Sequence, residues 1–332
     1  MDNNSPLLIV ITPVRNEAWV LEAFLTHCSS WADRIIIADQ HSTDGSREIA
    51  ARFPKVTLID NPDTEMQQAN ARKLLFKEVD CIAGDKIIFT LDADEFLSNG
   101  FRHTDGWKQI VESKPGSIFC IRWQNLIGDY SHMVNWEQTY NEWVCHFNAT
   151  EKVAELYSQS EKRAIHESRV PCPVSAQYIK IEDIRFIHLA RLNKQRTRNK
   201  NDFYQVSTID KLTSNINGIT FYRTYNTLPP VVPTLEAVKI TSADGIDLTP
   251  LIHIGDNGQH YIDETVSIIR REGYTKFQWL SIWDNPDLQA AGIHYRPPLH
   301  IRIIHRYLHT TQKHSQRPVI RAIDKLLKIV LS

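Results

Sequence analysis

Four short apolar runs, each preceding or following a segment of helical periodicity, fill the first hundred residues and leave few folds open. Leu7–Thr12, Arg34–Asp39 (RIIIAD), Val56–Asp60 and Lys86–Asp92 (KIIFTLD) read as strands. Continuous apolar runs of this length suit strands covered on both faces. Between them Asn16–Ser30, Asp44–Phe53 and Thr64–Val79 read as helices, with Asp44 placed to cap the second. This alternation implies a parallel sheet with helices on both faces. Ligands bind such sheets beyond the carboxyl ends of the strands. The segments that follow the strands are therefore the candidates: Pro13–Glu17, Asp39–Asp44, Asp60–Asp63 and Asp92–Glu95.

Beyond Gly116 the pattern changes. Ser117–Leu126 reads as a strand entering an aromatic-rich stretch with Trp123, Tyr130, Trp136, Tyr140, Trp143 and Phe147. Ile184–Leu189 (IRFIHL) is a further strand, and Arg191–Gln205 a basic helix. Pro229, Pro230 and Pro233 mark a loop or linker; Val266–Trp279 and Leu299–His309 read as helices. The tail from His300 carries seven basic residues against Asp324, beside an apolar stripe of Ile320, Ile323, Leu326, Leu327, Val330 and Leu331. Such a helix either docks on its own domain or lies on an anionic membrane surface. The expected division is a domain over 1–214 and a mainly helical extension over 215–332, serving the acceptor side, oligomerisation or membrane contact.

A formal net charge of −1 excludes a generally basic nucleic-acid binder. Five dispersed cysteines with no C-x-x-C give no disulfide framework or zinc knuckle and favour a reducing compartment. The acidic start MDNNSP and its short apolar run do not form a signal peptide, and no run reaches the ~18 apolar residues of a membrane span. A cytoplasmic protein is expected, with attachment to the inner face of the cytoplasmic membrane left open.

The sharpest chemical feature is Leu91-Asp92-Ala93-Asp94-Glu95 at the end of the fourth strand. Alternate residues of an extended chain project the same way. Two carboxylates so placed are unfavourable unless a cation joins them, and hard oxygen ligands suit Mg²⁺ or Mn²⁺ shared with phosphates. Thr12–Glu17 and Asp39–Ser46 put polar groups and helix N-termini at the same edge, where a diphosphate can be held. No P-loop or G-x-G-x-x-G is present. A glycosyltransferase, a nucleotidyltransferase and a non-catalytic nucleotide-sugar-binding protein remain open on this pattern. The lack of glycine and lysine in TPVRNE disfavours the second.

Taken together, T-P-V-R-N-E, I-I-I-A-D-x-x-S-T-D-G-S, A-G-D-K-I-I-F-T-L-D-A-D-E-F and a later I-H-E resemble the family 2 glycosyltransferases, over roughly Leu7 to Gln205. The lipopolysaccharide core β-glucosyltransferases are the most similar branch. The resemblance implies a GT-A fold, a Rossmann-like mixed sheet with helices on both faces. It also implies a nucleotide-sugar donor, expected to be a UDP-sugar, a divalent cation (Mn²⁺ or Mg²⁺), and inverting transfer to a glycan or glycolipid acceptor. Pro13, Arg15 and Glu17 would line the nucleotide pocket, with Asp39 at the base or ribose and Thr43 and Asp44 in the adjoining loop. Asn70 matches a family Q-R-N or A-R-N element whose arginine is here Ala69, so that cation is either missing or supplied elsewhere, by Arg72 or Lys73. Gln40-His41 replaces the small residues usual there. Asp92 and Ala93 would adjoin the donor, with Asp92 reaching the metal through water, and Asp94 and His188 would contact the metal. Glu167 is implied as the base for the acceptor hydroxyl, with His166 as the alternative. Arg191 or Arg196 would face the diphosphate, and one of Trp123, Trp136 and Trp143 would stack on an acceptor sugar. A homodimer is a further open expectation.

Overall fold

The computed structural model describes residues 5–63, 68–134, 140–161, 169–173, 175–211, 218–225 and 231–330. The elements are β1 (Leu7–Val14), α1 (Ala18–Ser29), β2 (Arg34–Asp39), α2 (Ser46–Ala51), β3 (Val56–Asp60), α3 (Gln68–Asp80), β4 (Lys86–Thr90) and β5 (Glu95–Leu97). There follow α4 (Asp105–Val111), β6 (Ser117–Ile127), β7 (His132–Val134), β8 (Tyr140–Phe147), α5 (Val153–Glu161), β9 (Gln177–Arg191) and α6 (Lys194–Lys211). The remainder is α7 (Gly218–Tyr225), β10 (Val231–Pro233), α8 (Gln259–Glu272), α9 (Pro286–Ala290), α10 (Leu299–Thr311) and α11 (Pro318–Val330). The chain forms two compact units, residues 1–192 with 231–254, and residues 193–230 with 255–332. Relative to a boundary after residue 214, α6 falls in the second unit and residues 231–254 in the first.

In the first unit β3, β2, β1 and β4 run parallel in that order, as the sequence alternation implies. β8 then joins β4 antiparallel and makes the sheet mixed. Residue parity sends side chains to two faces. Val10, Ile35, Ile37, Ile87 and Phe89 pack with Phe24 of α1, Trp31 just beyond it and Trp107 of α4. Ile9, Ile11, Ile36, Ala38 and Ile88 pack with α3 and α5, through Leu75, Phe76, Val79 and Tyr157. This is the mixed α/β sheet with helices on both faces that the sequence implies. The strand expected at Ile184–Leu189 is the end of a longer one. β9 pairs parallel with β6 and antiparallel with β5, and this sets His188 opposite both Asn125 and Glu95.

Residues 231–254 are tied to the first unit by a buried histidine. His27 Nε2 accepts from the Leu97 amide at 3.2 Å, so its Nδ1–H donates to the Thr241 carbonyl at 2.7 Å. Burial lowers the His27 pKa to about 4, which keeps the ring neutral with one donor and one acceptor. Asp44 precedes the residue that caps α2, which is Gly45 at φ 96°. Among the described residues no helix is long and apolar enough to cross a membrane, and no disulfide joins the five cysteines.

The second unit is helical, around Val206, Ile262, Ile269, Phe277 and Leu280. It buries a polar network in which Asn285 Nδ2 donates to Asp202 Oδ2 at 2.6 Å. Burial pushes the Asp202 carboxyl up to about 7, with the Asn285 hydrogen bond and Arg198 opposing. An unfolded aspartate titrates near ~3.9. Between these values the native state holds a proton that the unfolded chain lacks, so this group's stabilising effect is complete below pH ~4 and is lost as the pH rises to about 7. Asp202→Asn should remove that slope. Urea unfolding from pH 4 to 7 should show wild type losing ground to the variant by up to ~1.4 kcal/mol per pH unit; a constant difference would contradict the assignment.

Candidate functional site

The carboxyl ends of β1, β2 and β4 meet at one edge of the sheet, and the loops that leave them are joined by side chains. The amides of Asn16, Glu17 and Ala18 donate to Ser42 Oγ, Ser46 Oγ and Asp44 Oδ2 at 2.9, 3.0 and 2.9 Å. In return Asn16 Oδ1 accepts from the Thr43 amide at 2.8 Å. Asn16 takes a left-handed φ of 55°, which asparagine tolerates better than most residues. The three amides that lead into α1 are thus engaged by the β2–α2 loop, and Asp44 sits favourably at the positive end of the helix. A phosphate cradle of free amides there, suggested by the helix N-terminus alone, is not what these contacts make. Glu17 accepts from Trp19 Nε1 at 2.6 Å.

Asp39 is buried at the end of β2. Its Oδ2 accepts from Arg47 Nη1 at 2.7 Å and from the Ser42 amide at 3.2 Å. Its buried Oδ1 meets no donor among the described residues. A buried carboxylate oxygen without a partner is costly, and a ligand N–H or O–H would relieve it. Gln40 is buried and donates to the Asp63 carbonyl at 2.8 Å, and His41 takes a φ of 53°. Pro13, Arg72, Thr90, Asp92 and Arg169 line a crevice too narrow to admit a water molecule. Arg72, one of the two cations named to stand in for the family arginine, is buried in that crevice. Arg15 is half-buried, and Asn70 is exposed on α3.

After β4 the chain turns sharply, and the charge of Asp92, Asp94 and Glu95 is divided between two partners. Arg169 Nη1 and Nη2 donate to Glu95 Oε2 and Oε1 at 2.9 and 3.1 Å, and Nη2 also reaches Asp92 Oδ2 at 2.8 Å. The guanidinium lies 4.1 Å from the Trp143 ring centroid and 5.2 Å from that of Trp123. Glu95 is fully buried; burial pushes its carboxyl up to about 7, and the facing Arg169 opposes this. Burial works against the charge of Arg169, but Asp92, Glu95 and Asp94 outweigh it and raise its pKa. Part of the cation that the carboxylates demand therefore comes from the chain itself, and Asp92 is an arginine partner as well as a candidate donor contact.

Asp94 points elsewhere. Its Oδ1 lies 3.5 Å from His188 Nε2. His188 Nδ1 is bonded to Asn125 Oδ1 at 2.5 Å, and the ring stacks on Trp123 at 4.8 Å and 3°. Trp123 and Asn125 are two apart on β6, which puts both on the face that meets His188. Trp123 Nε1 donates to Glu95 Oε1 at 3.1 Å. With Nδ1–H given to Asn125, a neutral imidazole turns the lone pair of Nε2 toward a carboxylate oxygen. A proton on Nε2 or a shared cation relieves that meeting of two acceptors. A divalent cation fits this donor set, because Mg²⁺ and Mn²⁺ commonly take few protein ligands and complete their shells with water and phosphate. No group of three or more histidine, cysteine or acidic side chains suited to a metal occurs among the described residues.

Of the other expected groups, Ala93 is packed in the core, and Trp143 is fully buried with its Nε1 bonded to the Ile121 carbonyl, which makes it part of the core too. Trp123 is the described tryptophan at the site. Arg191 ends β9, where burial lowers its pKa. Arg196 belongs to the second unit and pairs with Asp256 at 2.6 Å. His166, Glu167 and Trp136 lie outside the described residues. Sequence reasoning passed over Arg169 and Asn125. Nothing local announces Arg169, whose acidic partners are 74 and 77 residues away.

Removing the guanidinium leaves Glu95 buried without its counter-charge. Arg169→Met should cost about 3 kcal/mol or more at pH 8 and less at pH 6, where the buried carboxyl takes up a proton. Adding Glu95→Gln should recover part of the loss. Urea unfolding of the cycle checks this; a single variant as stable as wild type at pH 8 would contradict it.

Residues 9–134 match the family described as Glycosyl transferase family 2. No curated protein sequence matches the chain. Similar solved structures include a 4-diphosphocytidyl-2C-methyl-D-erythritol synthase, at 13% identity over 53% of this chain and 88% of that one, with a TM-score of 0.37. The glucosyl-3-phosphoglycerate synthase of Mycobacterium tuberculosis, solved with Mn²⁺, UDP and glucosyl-3-phosphoglycerate, is 16% identical over 37% of this chain and 44% of that one, with a TM-score of 0.27. An inositol-1-phosphate CTP transferase from T. maritima is 8% identical over 56% and 90%, with a TM-score of 0.35. The matched segment runs from β1 to β7 and carries Asp39 and the Asp92–Glu95 turn.

Proposed function

We propose that the protein is a metal-dependent inverting glycosyltransferase. It would move a sugar from a nucleotide diphosphate, most simply UDP, to a glycan or lipid-linked acceptor in cell-surface polysaccharide or lipopolysaccharide synthesis. The observation that carries this reading is the facing pair Asp94 and His188, held by Asn125 and Trp123 at the carboxyl edge of a family 2 domain. Asp94 and His188 would hold a divalent cation with the donor's diphosphate. When bound, that cation supplies positive charge to the diphosphate as it leaves. The unsatisfied Asp39 Oδ1 suits a donor group on the base or ribose. Pro13, Arg15, Glu17, Thr43, Asp44 and Asn70 are the remaining proposed contacts of the donor pocket. In the transfer the acceptor oxygen forms a bond to the anomeric carbon from the face opposite the diphosphate. The bond to the phosphate oxygen breaks with its electron pair, and Glu167, or else His166, takes the acceptor proton.

The nucleotidyltransferase alternative gains nothing from the β1–α1 loop, whose amides are engaged by side chains. Asp94→Ala should abolish the gain in UDP affinity that Mn²⁺ gives, read by calorimetry with and without the metal; an unaltered gain would contradict the role of Asp94. Glu167→Gln should leave UDP binding intact and reduce transfer by a factor of about 10² or more. Retained turnover would move the base elsewhere.

We also place the protein on the cytoplasmic side of a membrane surface. α11 is held to its own unit by Leu327 and by Asp324, which pairs with Arg223 at 2.9 Å. Its outer side exposes Val319, Ile323 and Leu326 beside Arg321 and Lys325. Apolar and basic groups together favour an anionic bilayer. The Ile323→Glu, Leu326→Glu variant should lose sedimentation with phosphatidylglycerol vesicles; equal sedimentation would reject the contact.

A further inference from the structure

The second unit contains a cleft of about 410 Å³ that the transfer reading does not use. One wall is α10, where Arg302, Arg306 and His309 fall at spacings of four and three residues and so share one side of the helix. Arg296 joins them from the segment before α10. These four side chains are exposed. Arg296, Arg302 and Arg306 meet no carboxylate among the described residues. Asp284 is the acidic side chain among the described lining residues, and Arg198 pairs with it at 2.7 Å. The cleft therefore sets three arginines against one carboxylate, which Arg198 already engages.

Part of the lining is aromatic. Trp283 and Tyr295 belong to it with ring centroids 4.6 Å apart, and Tyr274 stacks on Tyr295 at 5.4 Å and 16°. Aromatic rings offer a flat apolar surface to the C–H face of a pyranose, and guanidinium forks match the oxygens of a phosphate. The volume is that of a small-molecule site. An inorganic anion alone leaves the aromatic rings unused, and a neutral sugar leaves three arginines unneutralised.

We propose that this cleft is a binding site for a phosphorylated saccharide, with the phosphate on Arg302 and Arg306 and the sugar ring against Trp283 and Tyr295. The site goes beyond the transferase reading and does not depend on the donor contacts. Calorimetry on the full chain, with glucose 6-phosphate as the probe, should show saturable binding. It should be about tenfold tighter than for inorganic phosphate or methyl glucoside. Arg302→Gln with Arg306→Gln should weaken it by about tenfold or more, and Trp283→Ala should weaken it while the far-ultraviolet circular dichroism stays unchanged. Asp94→Ala should leave it intact, which separates this cleft from the donor site. The proposal is overturned by absent saturation, by inorganic phosphate binding as tightly as the sugar phosphate, or by an unaffected double arginine variant. Loss of phosphatidylglycerol vesicle binding in the arginine variant, with no sugar phosphate bound by wild type, would also overturn it and make these arginines a membrane contact.

Discussion

Three carboxylates leave the sheet within four residues at the end of β4, and the division of their charge governs what this edge can do. Glu95 is sealed in the core and needs the two-pronged contact with Arg169 to be there at all. Asp92 shares that guanidinium. Asp94 alone is turned toward an imidazole, and the imidazole is fixed by a hydrogen bond on one side and a stacked indole on the other. The arginine thus does for two acids what a metal was expected to do for the group. It leaves Asp94 facing His188.

The sheet itself was legible because its strands are buried on both faces. Arg34–Asp39 and Val56–Asp60 have the bounds that their sequences imply, and parity within β1, β2 and β4 sorts their side chains cleanly between two helix layers. Other elements lacked any such signal. β8 has no regular alternation in YNEWVCHF; it is a strand because it is clamped between β4 and β6. The first half of β9 carries exposed polar residues, and only its pairing with β6 reveals the strand.

The same contrast holds at the site. The placement of Asp39 and Asp94 at this edge was legible from the buried strands before them, and that of His188 from the end of IRFIH. Their roles depend on partners that periodicity does not reach. Asn125 fixes the tautomer of His188 through strand register, and Arg169 arrives from a distant segment. The N-terminus of α1 shows the converse. An apparent anion site by sequence, it is satisfied by Ser42, Ser46 and Asp44 from the neighbouring loop. In the second unit Arg196, expected as one of two candidates to face the diphosphate, pairs with Asp256, while Arg302 and Arg306 of α10 line a cleft.

The central claim is that one imidazole and one carboxylate of this edge share a divalent cation with a nucleotide diphosphate. Pulsed electron paramagnetic resonance of Mn²⁺ bound with UDP addresses it most directly, because a coordinated imidazole nitrogen imprints its own coupling on the metal signal. The account requires a ¹⁴N coupling from a single histidine that disappears in His188→Ala. Bound Mn²⁺ without nitrogen coupling, or a coupling that survives that substitution, would contradict it.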